Sequence, residues 1–278
     1  MEKFTITQTE RLKQLGVDDD VIDMEFSNID ERNLVFRNTE KEKIKESKDI
    51  INDLLKNKHI TVSDEVGNRL SNWLMSMGYT KVITPTIITK DQLKGMTIDE
   101  DNHLFSQVFW IDKNKCLRPM LAPNLYVVMR ELKRITNGPV KIFELGSCFR
   151  KESQGAKHMN EFTMLNMVEL ATVKDGEQKE ALERLAKNSM EVLGISDYEL
   201  VIEESTVYGF TLDIEINGIE VASASYGPHD LDVNWDVYDT WIGIGFGIER
   251  LAMAMNRSTT IKRFGRSISF IDGQTMKL

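Results

Sequence analysis

Apolar residues recur along this chain at two spacings, and the changes between them divide it into elements. Helical spacing comes first: "TQTERLKQLG" (7–16) and "TEKEKIKESKDIINDLLKNK" (39–58) predict helices, the second with Ile44, Ile50, Ile51, Leu54 and Leu55 along one stripe. A third helix is expected from Ser63, placed to cap it, through Val66, Leu70, Trp73, Leu74 and Met77 to Gly78. The β-branched run "TKVITPTIIT" then reads as extended. Pro85 within it cannot donate to a ladder and belongs at an edge or strand end.

"VFWID" and "CLRPML" predict strands around a turn at "DKNK", and "APNLYVVMRELKRITNG" a helix with Pro123 in its first turn and Gly138 beyond its end. "KIFELGSCF" and "FTMLNMVELA" read as strands, and "EQKEALERLAKNSMEVLG" as an amphipathic helix closed by Gly194. Asn217-Gly218, set between alternating residues, signals a tight hairpin. The expected class is α+β, with neighbouring strands mostly antiparallel. Residues 1–60 are expected to form a helical subdomain and 61–278 the main domain.

Composition narrows the function classes. The chain has 278 residues, 41% of them apolar, which suits a soluble globular protein. Neither a signal peptide nor a membrane span is legible, so a cytoplasmic protein is expected. Cys116 and Cys148 have no metal-ligand spacing and read as buried reduced thiols. The formal charge of −9 excludes a broad basic surface for DNA. It leaves room for a local patch, and Lys41, Lys43, Lys45, Lys48, Lys56 and Lys58 form one.

Three constellations carry candidate chemistry. Period two places Phe162, Met164, Asn166 and Val168 on one strand face and Glu144, Gly146, Cys148 and Arg150 on one face of the other. An aromatic ring, an amide and a guanidinium can therefore meet, a set suited to a nucleotide. In "TWIGIGFGIERLAM", Trp241, Gly243, Gly245 and Gly247 alternate, so a flat ligand could approach a strand almost bare of side chains. Gly-x-Gly-x-Gly lacks the dinucleotide-binding spacing. "EINGIEVASAS" supplies Glu220 and Ser223, hard oxygen ligands suited to magnesium. Three residues apart on a regular strand, they would point to opposite faces, so sharing one ion needs a bulge, a bend or a bridging water.

Taken singly, each feature also has a bland reading: an ion-paired surface hairpin around "FRKESQGAKHMNEF", a glycine strand kept for backbone packing, a structural glutamate. Taken in order they resemble the class II aminoacyl-tRNA synthetases. The helix, strand and Pro85 are similar to that family's dimer-forming motif 1, "FELGSCFRKESQGAKHMNEFTML" to motif 2 and "GIGFGIERL" to motif 3. "MTIDEDNHLFSQVFWID", "LRPMLAPNLY", "EFTMLN" and "SASYGPHDLD" resemble the pyrrolysyl branch, over essentially the whole chain.

That resemblance implies an antiparallel sheet flanked by helices, a homodimer, and ATP-dependent activation of an amino acid, pyrrolysine, before transfer to the 3′-hydroxyl of an amber-decoding tRNA. It implies that Arg150 holds the α-phosphate and the amino-acid carboxylate, that Glu152 recognises adenine and that Phe162 and Arg250 sandwich it. His158 and Arg250 would reach the γ-phosphate, and Glu220 and Ser223 would hold magnesium. Ala122, Leu125, Tyr126, Met129, Asn166, Val168, Tyr208, Ser225, Trp241, Gly243 and Gly245 would line the amino-acid pocket. Nothing before residue 60 resembles the family's extra tRNA-binding domain, so a short form is expected, with the lysines of 41–58 as a tRNA contact. A synthetase-like amino-acid sensor, and a ligase passing an acyl group from its adenylate to protein lysines, are the alternatives.

Overall fold

The computed structural model describes residues 1–151, 158–205 and 207–278, which form two compact units. The first comprises Met1–Val62 and Ser267–Leu278. Helix α1 (Ile6–Leu15) starts at Thr5, whose side chain and that of Gln8 cap each other's backbone N–H groups, and stops at Gly16 with φ 81°. After the short α2 (Asp19–Ile22), α3 (Ile29–Asp53) runs into a wider helical turn at Leu54–Lys58. Leu12, Leu15, Ile22 and Phe26 close a small core with Phe4 and Val17.

The helix expected from residue 39 begins ten residues earlier, at Ile29, because Asn28 caps it by accepting from Glu31 N–H. Leu55, assigned to the apolar stripe, is exposed, since the wider turn after Asp53 breaks the 3.6-residue period that placed it there.

The second unit spans Ser63–Arg266. Helix α4 (Val62–Ser76) buries Val66, Leu70 and Leu74. Ser63 is not its cap. It lies within the first turn and donates its hydroxyl to the Phe264 carbonyl at 2.8 Å. Strands β1 (Thr80–Lys81) and β2 (Ile87–Thr89) flank Pro85, and β2 pairs with β3 (Lys115–Leu117). "VFWID" forms no strand: Trp110 makes one isolated bridge to Cys116, with the Leu117 N–H donating to the Phe109 carbonyl and the Ile111 N–H to the Lys115 carbonyl, both at 2.9 Å.

Helices α5 (Lys90–Gly95) and α6 (His103–Ser106) lead to α7 (Ala122–Thr136), which has proline in its first turn and ends at Asn137 in the left-handed region. Strands β4 (Val140–Phe149) and β5 (Glu161–Leu170) follow, then α8 (Gln178–Leu193), β6 (Glu199–Ser205), β7 (Gly209–Ile216), β8 (Ile219–Gly227), β9 (Trp241–Gly247) and α9 (Ile248–Met255).

Among the described residues a seven-stranded sheet runs in the order β1-β4-β5-β9-β8-β7-β6. All neighbours are antiparallel except β1 with β4. The β7–β8 turn is Asn217-Gly218 with φ 52° and 68°, the doubly left-handed turn whose twist suits a two-residue hairpin. Helix α7 packs on β4 and β5, where Leu125, Met129, Ile142, Val168 and Trp241 join one core. The central strands are thus buried under helices at one end and leave their glycine-rich stretch open.

Candidate active site

Strand register assembles the first wall. Opposite Asn166 on β5 stands Glu144, opposite Met164 stands Gly146 and opposite Phe162 stands Cys148, so the two even-numbered sets share a face. Arg150 sits one residue past β4. Its backbone N–H donates to the Asn160 carbonyl at 3.0 Å and its Nε to the Pro119 carbonyl at 2.9 Å. These bonds set the guanidinium 5.3 Å from the centroid of the Phe162 ring. Glu152 and the glycine at 155 lie outside the described residues, as does Lys157.

Strand β9 supplies the floor. Gly245 pairs with Asn166 on one side and Ser223 on the other, and Gly243 with Val168 and Ser225. A Cβ on Gly245 would lie 3.1 Å from Asn166 Nδ2, 3.2 Å from its Oδ1 and 3.2 Å from the Met164 methyl. The Asn166 amide therefore lies across the bare backbone. Its Oδ1 is buried with no hydrogen-bond partner among the described residues.

The spacing of Glu220 and Ser223 is resolved by a bulge. Ile214 pairs with Ala222 and Glu215 with Glu220, so Val221 is an extra residue and Glu220 turns to the side Ser223 occupies. Arg250, in the first turn of α9, donates to the Glu220 carbonyl at 3.0 Å and lies 3.2 Å from its carboxylate. Ser223 donates to the buried Asp213 carboxylate at 2.6 Å.

Tyr208 tips the β6–β7 loop. Ser205 Oγ accepts from the backbone N–H groups of Val207 and Tyr208, at 3.3 and 3.2 Å, and Gly209 turns the chain with φ 73°. The Tyr208 ring stands edge-on to Trp241 at 5.9 Å. Tyr126 meets Trp241 edge-on at the same separation and stacks on Trp235.

Between these walls lies one cavity of about 340 Å³. Arg150, His158, Phe162, Glu220, Ser223 and Arg250 line it, as do Ala122, Leu125, Tyr126, Met129, Asn166, Val168, Tyr208, Ser225, Trp241, Gly243 and Gly245. Sequence reasoning missed Met120, Thr211 and Glu249, which also line it, and Asp232 just behind it. Met164 lines it too and shares strand parity with Phe162 and Asn166, so that signal was present.

Burial sets the electrostatics. It raises the Tyr126 phenol far above its usual range, with the nearby Tyr208 and Asp232 adding to the effect. It also raises the Glu249 carboxyl, partly offset by the Thr163 N–H, which lies 2.8 and 3.0 Å from its two oxygens. Cys116 and Cys148 are free and buried, and their thiols are pushed up to about 11 and about 12. Neither is poised as a nucleophile. Among the described residues no group of three or more His, Cys, Asp or Glu side chains could by itself hold a metal ion. A carboxylate and a hydroxyl facing one cavity fit magnesium that takes its remaining ligands from phosphates and water.

A seven-stranded, mostly antiparallel sheet with this cavity over its glycine strand sets the class, and the profile of the "tRNA synthetases class II core domain" family matches residues 48–273. Two curated relatives are phenylalanine–tRNA ligase alpha subunits. That of Mycoplasma pneumoniae is 27% identical over 107 residues, covering 38% of this chain and 31% of the relative; that of Mycoplasma genitalium is 25% identical over 215 residues, covering 69% and 61%. The chain thus spans between about a third and three fifths of these relatives.

Two solved structures match throughout. One, of pyrrolysyl-tRNA synthetase from Desulfitobacterium hafniense, has 44% identity, a TM-score of 0.93 and full coverage of both chains. The second, of that organism's PylSc, a pyrrolysyl tRNA synthetase, has 44% identity and a TM-score of 0.92, covering 100% of this chain and 99% of that one. The chain therefore belongs to the class II aminoacyl-tRNA synthetases, in their pyrrolysyl family.

Proposed function

We propose that the protein is a pyrrolysine–tRNA ligase: it activates an N-ε-acylated lysine with ATP and transfers it to the 3′-hydroxyl of an amber-decoding tRNA. The observation that carries the reading is a single cavity lined both by the cations Arg150 and Arg250 and by the rings of Phe162, Tyr126, Tyr208 and Trp241, over a glycine strand bare of side chains. Among the described residues, Asp232 behind the Tyr126 and Trp241 rings offers no free carboxylate to a lysine ammonium, since it already accepts from Tyr126, Trp241 and its own turn. The Asn166 side-chain amide, whose oxygen is buried without a partner among the described residues, can instead bond the amide of an acylated side chain.

In this reading an amino-acid carboxylate oxygen attacks the α-phosphorus of ATP, the bond to pyrophosphate breaks and an aminoacyl-adenylate forms. The tRNA hydroxyl then attacks the acyl carbon and AMP leaves. No protein nucleophile is needed, only alignment and neutralisation of charge. Arg150 holds the α-phosphate and substrate carboxylate. Phe162 and Arg250 hold adenine between them, Glu152, outside the described residues, is assigned its recognition, and Arg250 with His158 reaches the γ-phosphate. Glu220 and Ser223 would hold magnesium, which supplies electrostatic stabilisation of phosphate charge when bound.

Two further parts belong to the proposal. A homodimer is supported by the exposed apolar side chains of Ile83 and Ile87 beside Pro85, in the stretch resembling motif 1. Among the described residues no helix is long and apolar enough to cross a membrane. The reading is tested by ATP–pyrophosphate exchange with pyrrolysine, acyl-lysines, lysine and phenylalanine, followed by charging of the amber-decoding tRNA. Exchange with acyl-lysines and charging are expected. Exchange with none of the four overturns the catalytic reading and favours a sensor; exchange without charging favours a ligase acting on protein lysines.

A further inference from the structure

Asp232 is 2% exposed and lies in a short 3-10 turn (Asp230–Trp235); it closes the stretch "SASYGPHDLD", but neither the sequence nor the resemblance gave it a role. Its carboxylate accepts three hydrogen bonds. The Tyr126 hydroxyl donates to Oδ1 at 2.7 Å; the Trp241 indole Nε1 and the His229 backbone N–H donate to Oδ2 at 2.7 and 2.6 Å. The His229 bond belongs to the turn itself and would be made by any aspartate capping it. The other two come from rings on α7 and β9, both of which line the cavity.

A second observation shows that this contact is built into the backbone. A Cβ on Gly227 would fall 1.9 Å from Trp241 Nε1 and 2.6 Å from Asp232 Oδ2, so the last residue of β8 gives its side-chain space to this pair. The same turn reaches the loop over the cavity, because His229 Nε2 is 2.7 Å from the Tyr208 carbonyl and its ring stands edge-on to Tyr208. Hydrogen bonds to a buried charged acceptor are the strong kind. Two rings fixed by them leave a cavity end of set depth, which apolar packing alone would let drift.

We propose that Asp232 is the positioning residue of the amino-acid pocket: by holding Tyr126 and Trp241 it sets the length and bulk of the acyl group that is accepted. The proposal rests on the reading of this cavity as an acyl-lysine site. Asp232→Asn keeps the shape but removes the charge and one acceptor oxygen, so Tyr126 and Trp241 can no longer both donate to a carboxylate and the charge-assisted bonds that hold them are weakened.

The test uses the full chain and ATP–pyrophosphate exchange with lysines carrying a short acetyl or a bulky alkoxycarbonyl group. In D232N the KM for the bulky substrate is expected to rise roughly tenfold and the bulky-to-short preference to collapse, with the KM for ATP within about twofold. The indole N–H resonance of Trp241, assigned by its loss in Trp241→Phe, is expected to move. Tyr126→Phe, which removes one donor and keeps the ring, is expected to erode the preference in the same direction by a smaller factor, and it serves if D232N does not fold.

A wild-type enzyme that prefers the bulky substrate, with that preference and the Trp241 resonance unchanged in D232N, or unchanged preference in Tyr126→Phe where D232N fails to fold, overturns the role of Asp232 alone. So does a parallel rise in both KM values, the signature of general loosening. A wild-type enzyme that activates neither acyl-lysine overturns the cavity reading and this inference with it.

Discussion

Gly245 shows how much one hydrogen atom can decide. Its missing side chain is what lets the Asn166 amide and the Met164 methyl lie over β9, at separations tighter than ordinary contact for any Cβ placed there. Gly245→Ala should displace Asn166 from the substrate amide while leaving Arg150 and Phe162 in place. The expected result is a loss in kcat/KM for acyl-lysine on the order of tenfold or more, about 1.4 kcal/mol, with the KM for ATP little changed. An unchanged kcat/KM in exchange assays would show that Asn166 does not need that space. At this scale, residues on regular strands were legible because period two alone assigns Phe162, Met164, Asn166 and Val168 to one face. The role of Asp232 was not, although "SASYGPHDLD" ends on it, since an irregular turn has no period and only its three donors reveal what it does.

Elements were legible where their ends carry backbone chemistry. Gly194 after α8 and Asn217-Gly218 between β7 and β8 mark real boundaries, whereas α1, expected from residue 7, starts at Ile6 behind a Thr5 cap that the apolar spacing did not show. The bulge at Val221 was foreseen only as one way out of a parity conflict, because register against β7 is a tertiary fact. The same limit hid the role of α9, whose first turn places Glu249 at 3% exposure beneath the site, accepting from the Thr163 N–H of β5. Its carboxyl is raised by burial above the ordinary 4.5. A raised acid contributes stability that is fully present below the unfolded value and lost as pH rises through the folded one. Glu249→Gln cannot ionise and should escape that loss. The melting temperature of the variant relative to the wild type is therefore expected to climb as pH is raised above 4.5 and then level off; a difference independent of pH between 4 and 8 would contradict it.

At the scale of the whole molecule, an acidic chain of net charge −9 must still meet a polyanion if it charges tRNA. Composition alone sets that conflict, and motif reading does not resolve it. The first compact unit offers a local answer. On α3 and the turn that follows it, Lys41, Lys45, Lys48 and Lys56 are exposed, and among the described residues none is ion-paired, whereas Lys43 is bound to Glu46 at 2.7 Å and Lys58 to Asp53 at 3.8 Å. Lysines left unpaired can exchange condensed counterions for phosphates, so binding through them should weaken steeply with salt, by about 0.7–0.9 counterions per phosphate contact. Reversing these four lysines to glutamate is expected to raise the KM for tRNA roughly tenfold or more at moderate salt and to flatten its salt dependence. ATP–pyrophosphate exchange, which involves only the cavity of the second unit, should stay near wild type. Charging kinetics unchanged across a salt series would remove this face as the tRNA contact, and a fall in exchange would place its effect on folding instead.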